Sequence, residues 1–585
     1  MPSSIVAGNF AANVYPVTIG NAAVSQFVTP AQSQGPVAIC LSGGGSRALT
    51  AALGQLQALE LVTSGGVSLL SKARAISTVS GGSWIGVPFV YLQNQTDQSF
   101  LGTYTPPDQL TSAGIDSLSS GFASNITAHF SVPALAVQAL LLHHNGVPAD
   151  MLWQTLIGLH LLAPCGLFAQ QPSPPPAPAS FFSYNAATVT GILNQTFPNS
   201  GSANASLKQE PANAVAAGGQ PRPYLVCNMA MFVTTPSGEQ LLAPVQSTPI
   251  LTGIIGTPDA KDDNGFSVGG GGVQSFGFNS TPQQVAANNV LINQSRQWSL
   301  VDAVGTSSAA FAGPIEEKFA EWRANPAQFQ ADLAAHGPHA AAFLQLGAAD
   351  LAESSALLPD LGGLTDLVPE YIYWPVANVP AGQNLRTSDF ADGGNLENSG
   401  IAAMLAYSDV STIVAFLNSS TKMQPGVNST IQLDSMIPPL FGYQPYDNGY
   451  VTYAAGSAPF KHPYFQNSQV FPSDAFQDLY QGLWTASGSG SYSAPAIYKQ
   501  TLTTVQNDWF GVGGGRSVTV IWVYLEFVES WYNAITDPLV RARVDALKLF
   551  SSFPHYSTLK TELDAAEINL LANLTAWVVM NNLSF

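Results

Sequence analysis

Ala73-Arg74-Ala75-Ile76-Ser77-Thr78-Val79-Ser80-Gly81-Gly82-Ser83-Trp84 carries a strand, a tight turn and the start of a helix. The run from Ala73 to Val79 is apolar and partly β-branched, which suits a strand covered on both faces. It stops at Ser80-Gly81-Gly82, and Trp84 to Leu92 then reads as a helix. A serine on such a strand-to-helix turn holds its hydroxyl above the sheet edge, where the helix N-terminus favours developing negative charge. Its neighbours must be small, because the turn is strained and the backbone must pass close to a substrate. The G-x-S-x-G elbow has glycine two residues before the serine, and here that position is Thr78. The competing reading is a plain glycine turn with Ser80 as a helix N-cap.

Moving upstream, Val37-Ala38-Ile39-Cys40-Leu41 is a second strand-like run, stopped by Ser42-Gly43-Gly44-Gly45. Arg47 to Leu61 follows with Leu49, Leu53, Leu56 and Leu59 at helical spacing. Two strand–glycine turn–helix units, 37 residues apart from Gly43 to Ser80, predict an α/β fold. The expected architecture is three-layer: a mainly parallel central sheet between helices. Three glycines after a strand leave bare N–H groups at a helix N-terminus, an anion cradle suited to an oxyanion. Arg47 adds a cation that could meet a phosphate or steady the turn. No Gly-Lys-Ser/Thr follows, so the motif is not a P-loop.

Downstream, Phe390-Ala391-Asp392-Gly393-Gly394-Asn395-Leu396-Glu397-Asn398 places a carboxylate before two glycines, where no bulk separates it from a partner. Alone this would read as an Asp-Gly turn. Tyr224 to Phe232 and Ser517 to Phe527 read as strands, and Tyr371 to Pro375 as a strand or turn. Residues 298–358, Asn395 to Tyr407 and Leu559 to Val579 read as helical. Val132 to Leu142 and Met151 to Phe168 are strongly apolar, separated by His143-His144-Asn145-Gly146-Val147-Pro148. Neither half is a clean run of about 20 apolar residues, so no transmembrane span is expected. They are either a buried helical hairpin or a lid facing a membrane. Pro172 to Pro178 reads as a stiff surface loop, and 195–222 as polar loop. The expected organisation is an N-terminal extension over 1–35 and one catalytic domain over 36–585, with a lid or cap insertion at about 120–222.

Composition narrows the partners. Only 9% of the 585 residues are charged, against about 25% in ordinary domains. The 18 basic and 36 acidic residues give a net charge of -18, which argues against nucleic acid and against tight electrostatic docking on anionic lipid. Cys40, Cys165 and Cys227 form no disulfide framework and no metal-ligand spacing. No metal or cofactor is expected. Asp262-Asp263-Asn264-Gly265 is a partial calcium-loop pattern better read as an acidic turn. The N-terminus lacks a basic and apolar leader, so no signal peptide is expected in this chain. A cytoplasmic chain and a secreted one with a trimmed leader both remain open.

Taken together, the three glycine motifs resemble the catalytic domain of the cytosolic phospholipase A2 and lysophospholipase B family, within the patatin-like superfamily. The family's S-G-G-G-x-R is matched by Ser42 to Arg47, its S-G-[GS]-[ST]-W by Ser80 to Trp84, and its D-G-G with a following E-N by Asp392 to Asn398. The resemblance implies a largely parallel sheet with a helical lid and a Ser-Asp dyad without histidine. Ser80 would be the nucleophile and Asp392 the base. Gly81 and Gly82 would form the nucleophile turn, Gly44 and Gly45 the oxyanion hole, and Arg47 would lie near the substrate phosphate. The implied substrate is a phospholipid or lysophospholipid at a membrane or micelle surface. No calcium-binding C2 module is expected ahead of the motifs in this chain, so the resemblance does not imply calcium-driven membrane recruitment. Competing readings are an α/β-hydrolase-type lipase with Ser80, Asp392 and His555 as a triad, a non-catalytic lipid-binding protein of the same fold, and an acyltransferase using the same acyl-enzyme.

Overall fold

The β-branched and apolar runs that carry the motifs are buried on both faces, and their residues alternate between two hydrophobic cores. Val37, Ile39 and Leu41 face one core while Ala38 and Cys40 face the other. The computed structural model describes residues 8–17, 34–92, 95–168, 181–198, 204, 207, 209–213, 222–257, 260–346, 357, 359–364, 366–376, 385–453 and 466–585. Pro172 to Pro178 and most of 199–221 lie outside the described residues.

The main sheet is built from β1 (Gly8–Pro16), β2 (Val37–Leu41), β3 (Ala73–Val79), β4 (Tyr224–Thr234), β5 (Gln240–Ser247), β6 (Leu251–Ile254), β7 (Gly271–Gln274), β8 (Thr281–Ala286), β9 (Asn289–Gln294), β10 (Glu370–Tyr373), β11 (Arg386–Asp392), β12 (Thr412–Leu417), β13 (Ala496–Thr503) and β14 (Ser517–Tyr524). Its order is β8-β9-β1-β7-β6-β5-β4-β3-β2-β12-β14-β13, with β11 beside β4 and β10 beside β11. The expectation of parallel strands holds at the centre, where β4, β3, β2, β12 and β14 run parallel. Outside these five every pair is antiparallel, so the sheet is mixed. Short polar connections such as Pro236-Ser237-Gly238 allow hairpins there, whereas parallel neighbours need helical crossovers.

The helices used below are α1 (Gly45–Leu61), α2 (Gly81–Val90), α3 (Val132–His144), α4 (Leu152–Ile157), α5 (Leu300–Ser307), α6 (Ala312–Ala324), α7 (Pro326–Phe343), α8 (Ile401–Leu405), α9 (Phe476–Ala486) and α10 (Ala565–Asn582). The first seven and α10 contribute to one core, α8 and α9 to the other. Helix α1 is buried along almost its whole length. Leu49, Leu56 and Leu59 are fully buried in it, each stabilising by about 1.5–3 kcal/mol. It meets α10 at close range because Gly54 has no side chain; a Cβ there would lie 2.0 Å from the Ala572 carbonyl oxygen.

The structure departs from two expectations and favours one of the two alternatives for a third segment. The N-terminal segment contributes β1, hydrogen-bonded between β7 and β9. The apolar helices α3 and α4 are buried in the large core, with Trp153 stacked at 5.8 Å on Phe311 and in contact with Trp84 of α2. Their apolar side chains face other helices and not solvent, as the buried-hairpin reading required. The helix expected from Asn395 to Tyr407 is confined to Ile401–Leu405, because Gly400 takes φ +75° and the Glu397 carboxylate accepts the Ser399 and Ala402 N–H groups just before it. Among the described residues no helix is long and apolar enough to cross a membrane.

Candidate active site

Strand β4 brings together two residues separated by 312 positions. Its first half pairs parallel with β3, ending at Val79 opposite Asn228. Its second half pairs antiparallel with β11, ending at Asp392 opposite Met229. The two strands therefore run toward each other along neighbouring stretches of β4 and stop tip to tip. Ser80 leaves one tip and Asp392 closes the other. The Ser80 hydroxyl donates to Asp392 Oδ2 at 2.9 Å.

Ser80 occupies φ +49°, ψ -122°, a backbone region that costs a non-glycine residue about 1–3 kcal/mol and must be held by its surroundings. Its N–H donates to Ser307 Oγ at 3.0 Å, and Ser307 Oγ donates to the Asn228 carbonyl at 2.6 Å. Asn228 Nδ2 in turn donates to Ser77 Oγ and to the Thr78 carbonyl. Thr78, where the elbow pattern has glycine, is accommodated by two features. Its hydroxyl accepts from Ser83 Oγ at 2.9 Å, and its methyl group fills the space opposite Gly86, where a Cβ would lie 2.5 Å away. The missing glycine is thus offset by one on the facing helix.

The two glycine turns touch through bare backbone. A Cβ on Gly81 would lie 2.3 Å from the Gly45 oxygen, and one on Gly82 would lie 2.4 Å from the Leu41 oxygen. Gly44 and Gly45 take φ +136° and +60°, where glycine is the default residue. The Gly43 N–H is taken by the Asn398 carbonyl. Among the described residues no acceptor takes the Gly44 or Gly45 N–H. Gly393 and Gly394 are required in the same way, since Cβ atoms there would meet the Asn228 carbonyl at 2.4 Å and Asn398 Oδ1 at 2.5 Å.

Asp392 is 2% exposed and Ser80 5%. Burial pushes the Asp392 carboxyl up from 3.8 to about 7, while hydrogen bonds from the Gly394 N–H, the Ser80 hydroxyl and the Ala310 N–H pull the other way. A carboxylate so placed can take a proton near neutral pH. Arg47 is 2% exposed. The resemblance puts it at a substrate phosphate, but its Nε donates to the Asn418 carbonyl at 2.9 Å and its Nη1 to the Tyr556 carbonyl and to Thr558 Oγ1. His555 does not complete a triad: its Nε2 meets Glu526 Oε1 at 2.8 Å and its Nδ1 the Ser419 carbonyl at 3.1 Å. Asp262 forms a turn, accepting the Asn264 and Phe266 N–H groups and pairing with Arg386. Cys40, Cys165 and Cys227 are free and buried. Ser307, Asn228 and Ala310 carried no signal in the sequence, because each acts through a contact with a distant segment.

No family model matches the chain and no curated protein matches it. Among solved structures it is similar to human GIVD cytosolic phospholipase A2, at 12% identity and a TM-score of 0.45 over 95% of this chain and 60% of that one. It is also similar to the same human protein in complex with methyl gamma-linolenyl fluorophosphonate, at 11% identity and a TM-score of 0.41 over 95% and 59%. The chain spans about 60% of the length of those proteins.

Proposed function

We propose that the protein is a serine acyl hydrolase that cleaves fatty-acyl esters of glycerophospholipids or lysophospholipids through a Ser80–Asp392 dyad. The observation that carries this reading is the 2.9 Å bond from a serine in strained elbow geometry to a buried carboxyl, with the Gly45 backbone packed against the same elbow. The substrate class rests on the resemblance of the three motifs to lipid-acting hydrolases.

The steps follow from the parts. Ser80 Oγ attacks the ester carbonyl carbon as its proton passes to Asp392 Oδ2. The carbonyl oxygen becomes an oxyanion held by the Gly44 and Gly45 N–H groups. Collapse breaks the ester C–O bond, the leaving alcohol takes the proton from Asp392, and an acyl-enzyme remains on Ser80. Water then attacks the acyl-enzyme, giving its proton to Asp392, and the fatty acid leaves as Ser80 regains a proton. Histidine takes no part, in keeping with the engagement of both His555 nitrogens elsewhere.

The test is mass analysis of the products from a phosphatidylcholine with two different acyl chains, beside a Ser80→Ala control. Free fatty acid and lysolipid are expected from the parent protein and neither from the variant. Full hydrolysis by Ser80→Ala would refute the reading. Labelling of Ser80 by a fluorophosphonate separates it from a non-catalytic lipid-binding protein, which should stay unlabelled.

A further inference from the structure

We infer that Arg47 is a positioning residue that clamps the Gly44–Gly45 turn to the segment Phe553–Thr561, and is not the ligand of a substrate phosphate. The inference rests on the proposed dyad chemistry and concerns what holds its oxyanion site in shape.

The turn has little of its own to hold it. Both glycines lie at positive φ, and the N–H groups that matter must be left free. Its conformation therefore depends on what supports it from behind. On the side where a Gly44 side chain would project, the Arg47 guanidinium lies instead, with Nη2 at 2.2 Å from the Cβ position. On the corresponding side of Gly45 lie the Phe311 ring and the Thr558 carbonyl oxygen, each 2.8 Å from the Cβ position. The guanidinium fork then bridges two segments distant in sequence. Nε holds the Asn418 carbonyl at the end of β12, and Nη1 holds Tyr556 O and Thr558 Oγ1. A planar fork with fixed donors suits this task better than a flexible ammonium.

The segment it grips is itself anchored. His555 ties it to Glu526 and to the Ser419 carbonyl. Ser46 Oγ donates to the Thr561 carbonyl, and Thr561 Oγ1 donates to the Phe130 carbonyl at 2.5 Å. Tyr556 is fully buried. Arg47 thus links the oxyanion turn, the end of a central strand and a buried strap, and this use accounts for its burial. It also gives His555 a role as an anchor of the strap.

Two variants test the inference. Arg47→Lys keeps the charge and loses the fork; Thr558→Val removes only the hydroxyl that Nη1 grips. Active sites are first counted by fluorophosphonate titration, so that partial unfolding does not enter. Then kcat and KM per titrated site are measured on lysophosphatidylcholine and on a phosphate-free ester of the same acyl chain. A misaligned oxyanion site lowers kcat on both substrates by the same factor, expected at about tenfold or more for Arg47→Lys and about threefold for Thr558→Val, with KM unchanged. A rise in KM confined to the phosphate-bearing substrate would overturn the inference, as would unchanged kcat in both variants. If Arg47→Lys yields no titratable sites, Thr558→Val decides alone by the same comparison. Failure of the dyad reading itself looks different: the parent protein would not titrate, and Ser80→Ala would match it in turnover.

Discussion

Replacing Asp392 with asparagine should change how stability depends on pH, by an amount set by the burial of this one carboxyl. The group ionises at 3.8 in its ordinary state and at about 7 in the folded protein. Between those values the native state holds a proton that the unfolded chain has released. The contribution to stability is therefore largest in acid, falls as pH rises, and is fully lost above about 7. That displacement corresponds to about 4 kcal/mol. The amide of Asp392→Asn does not titrate. Its NH2 can donate to Ser80 Oγ but leaves one opposing N–H short of an acceptor, a cost of about 1–3 kcal/mol that does not vary with pH. Relative to the parent, the variant should thus gain about 4 kcal/mol between pH 4 and pH 8. For a chain of 585 residues the unfolding entropy is about 1.2 kcal/mol/K, so the gain reads as a relative rise in Tm of about 3–4 °C. Paired thermal scans of the two proteins across this pH range, at one scan rate, make the measurement. A Tm difference that stays flat with pH would refute the argument that burial dominates this carboxyl.

The same carboxyl predicts a rate profile: labelling of Ser80 by a fluorophosphonate should rise about tenfold per pH unit below about 7 and level off above it, as the base loses its proton. A flat rate from pH 5 to 8 would exclude Asp392 as the proton acceptor. Gly86→Ala should destabilise by about 1–3 kcal/mol through contact with the Thr78 methyl. Thr78→Ser in the same chain should recover about 1 kcal/mol or more of that loss, and additive melting data would show that the two do not share the space. Ser307→Ala should cost about 1–3 kcal/mol, because the Ser80 N–H loses its acceptor and the Asn228 carbonyl its donor. It should also slow labelling of Ser80, measured per folded molecule.

The glycine motifs were legible in sequence because clustered glycines after a strand mark a turn that another backbone passes closely, whichever segment that is. Gly43, Gly81, Gly82, Gly393 and Gly394 all lie where a Cβ would meet another atom within 3 Å, and such demands leave a pattern in a single chain. The central strands were legible for a similar reason, since burial on both faces forces continuous apolar runs. The antiparallel half of the sheet was not, because strands such as Gln240–Ser247 and Thr281–Ala286 carry proline and glutamine and show neither a continuous apolar run nor a regular alternation. Ser307 and Ala310 were invisible because a small residue at a helix end is unremarkable until the segment beside it is known. The role of Arg47 was left between a phosphate ligand and a support for the turn. The choice depended on where Asn418, Tyr556 and Thr558 fall, and nothing local to Arg47 carries that information.

The proposed dyad without histidine would place a specific demand on its carboxylate, which the fold would meet by position more than by chemistry. Three donors reach Asp392, from Gly394, Ser80 and Ala310. In a solvated setting such a set would drive a carboxyl below its ordinary value and make it a poor base. Here burial outweighs all three, because the residue sits where two strand tips meet on β4 and is 2% exposed. On the proposed dyad chemistry, the length of β4 would be part of the catalytic apparatus. A strand that ended at Asn228 would still carry β3 and the serine elbow, but would have no Met229, Ala230 and Met231 for β11 to pair with. Substitutions that weaken that second half, such as Ala230→Pro, which removes a ladder N–H, should leave the elbow in place and free the carboxylate from it. The expected signature is a folded protein whose Ser80 no longer reacts with a fluorophosphonate at pH 8. Retained reactivity would mean that the serine does not depend on a base delivered along β4.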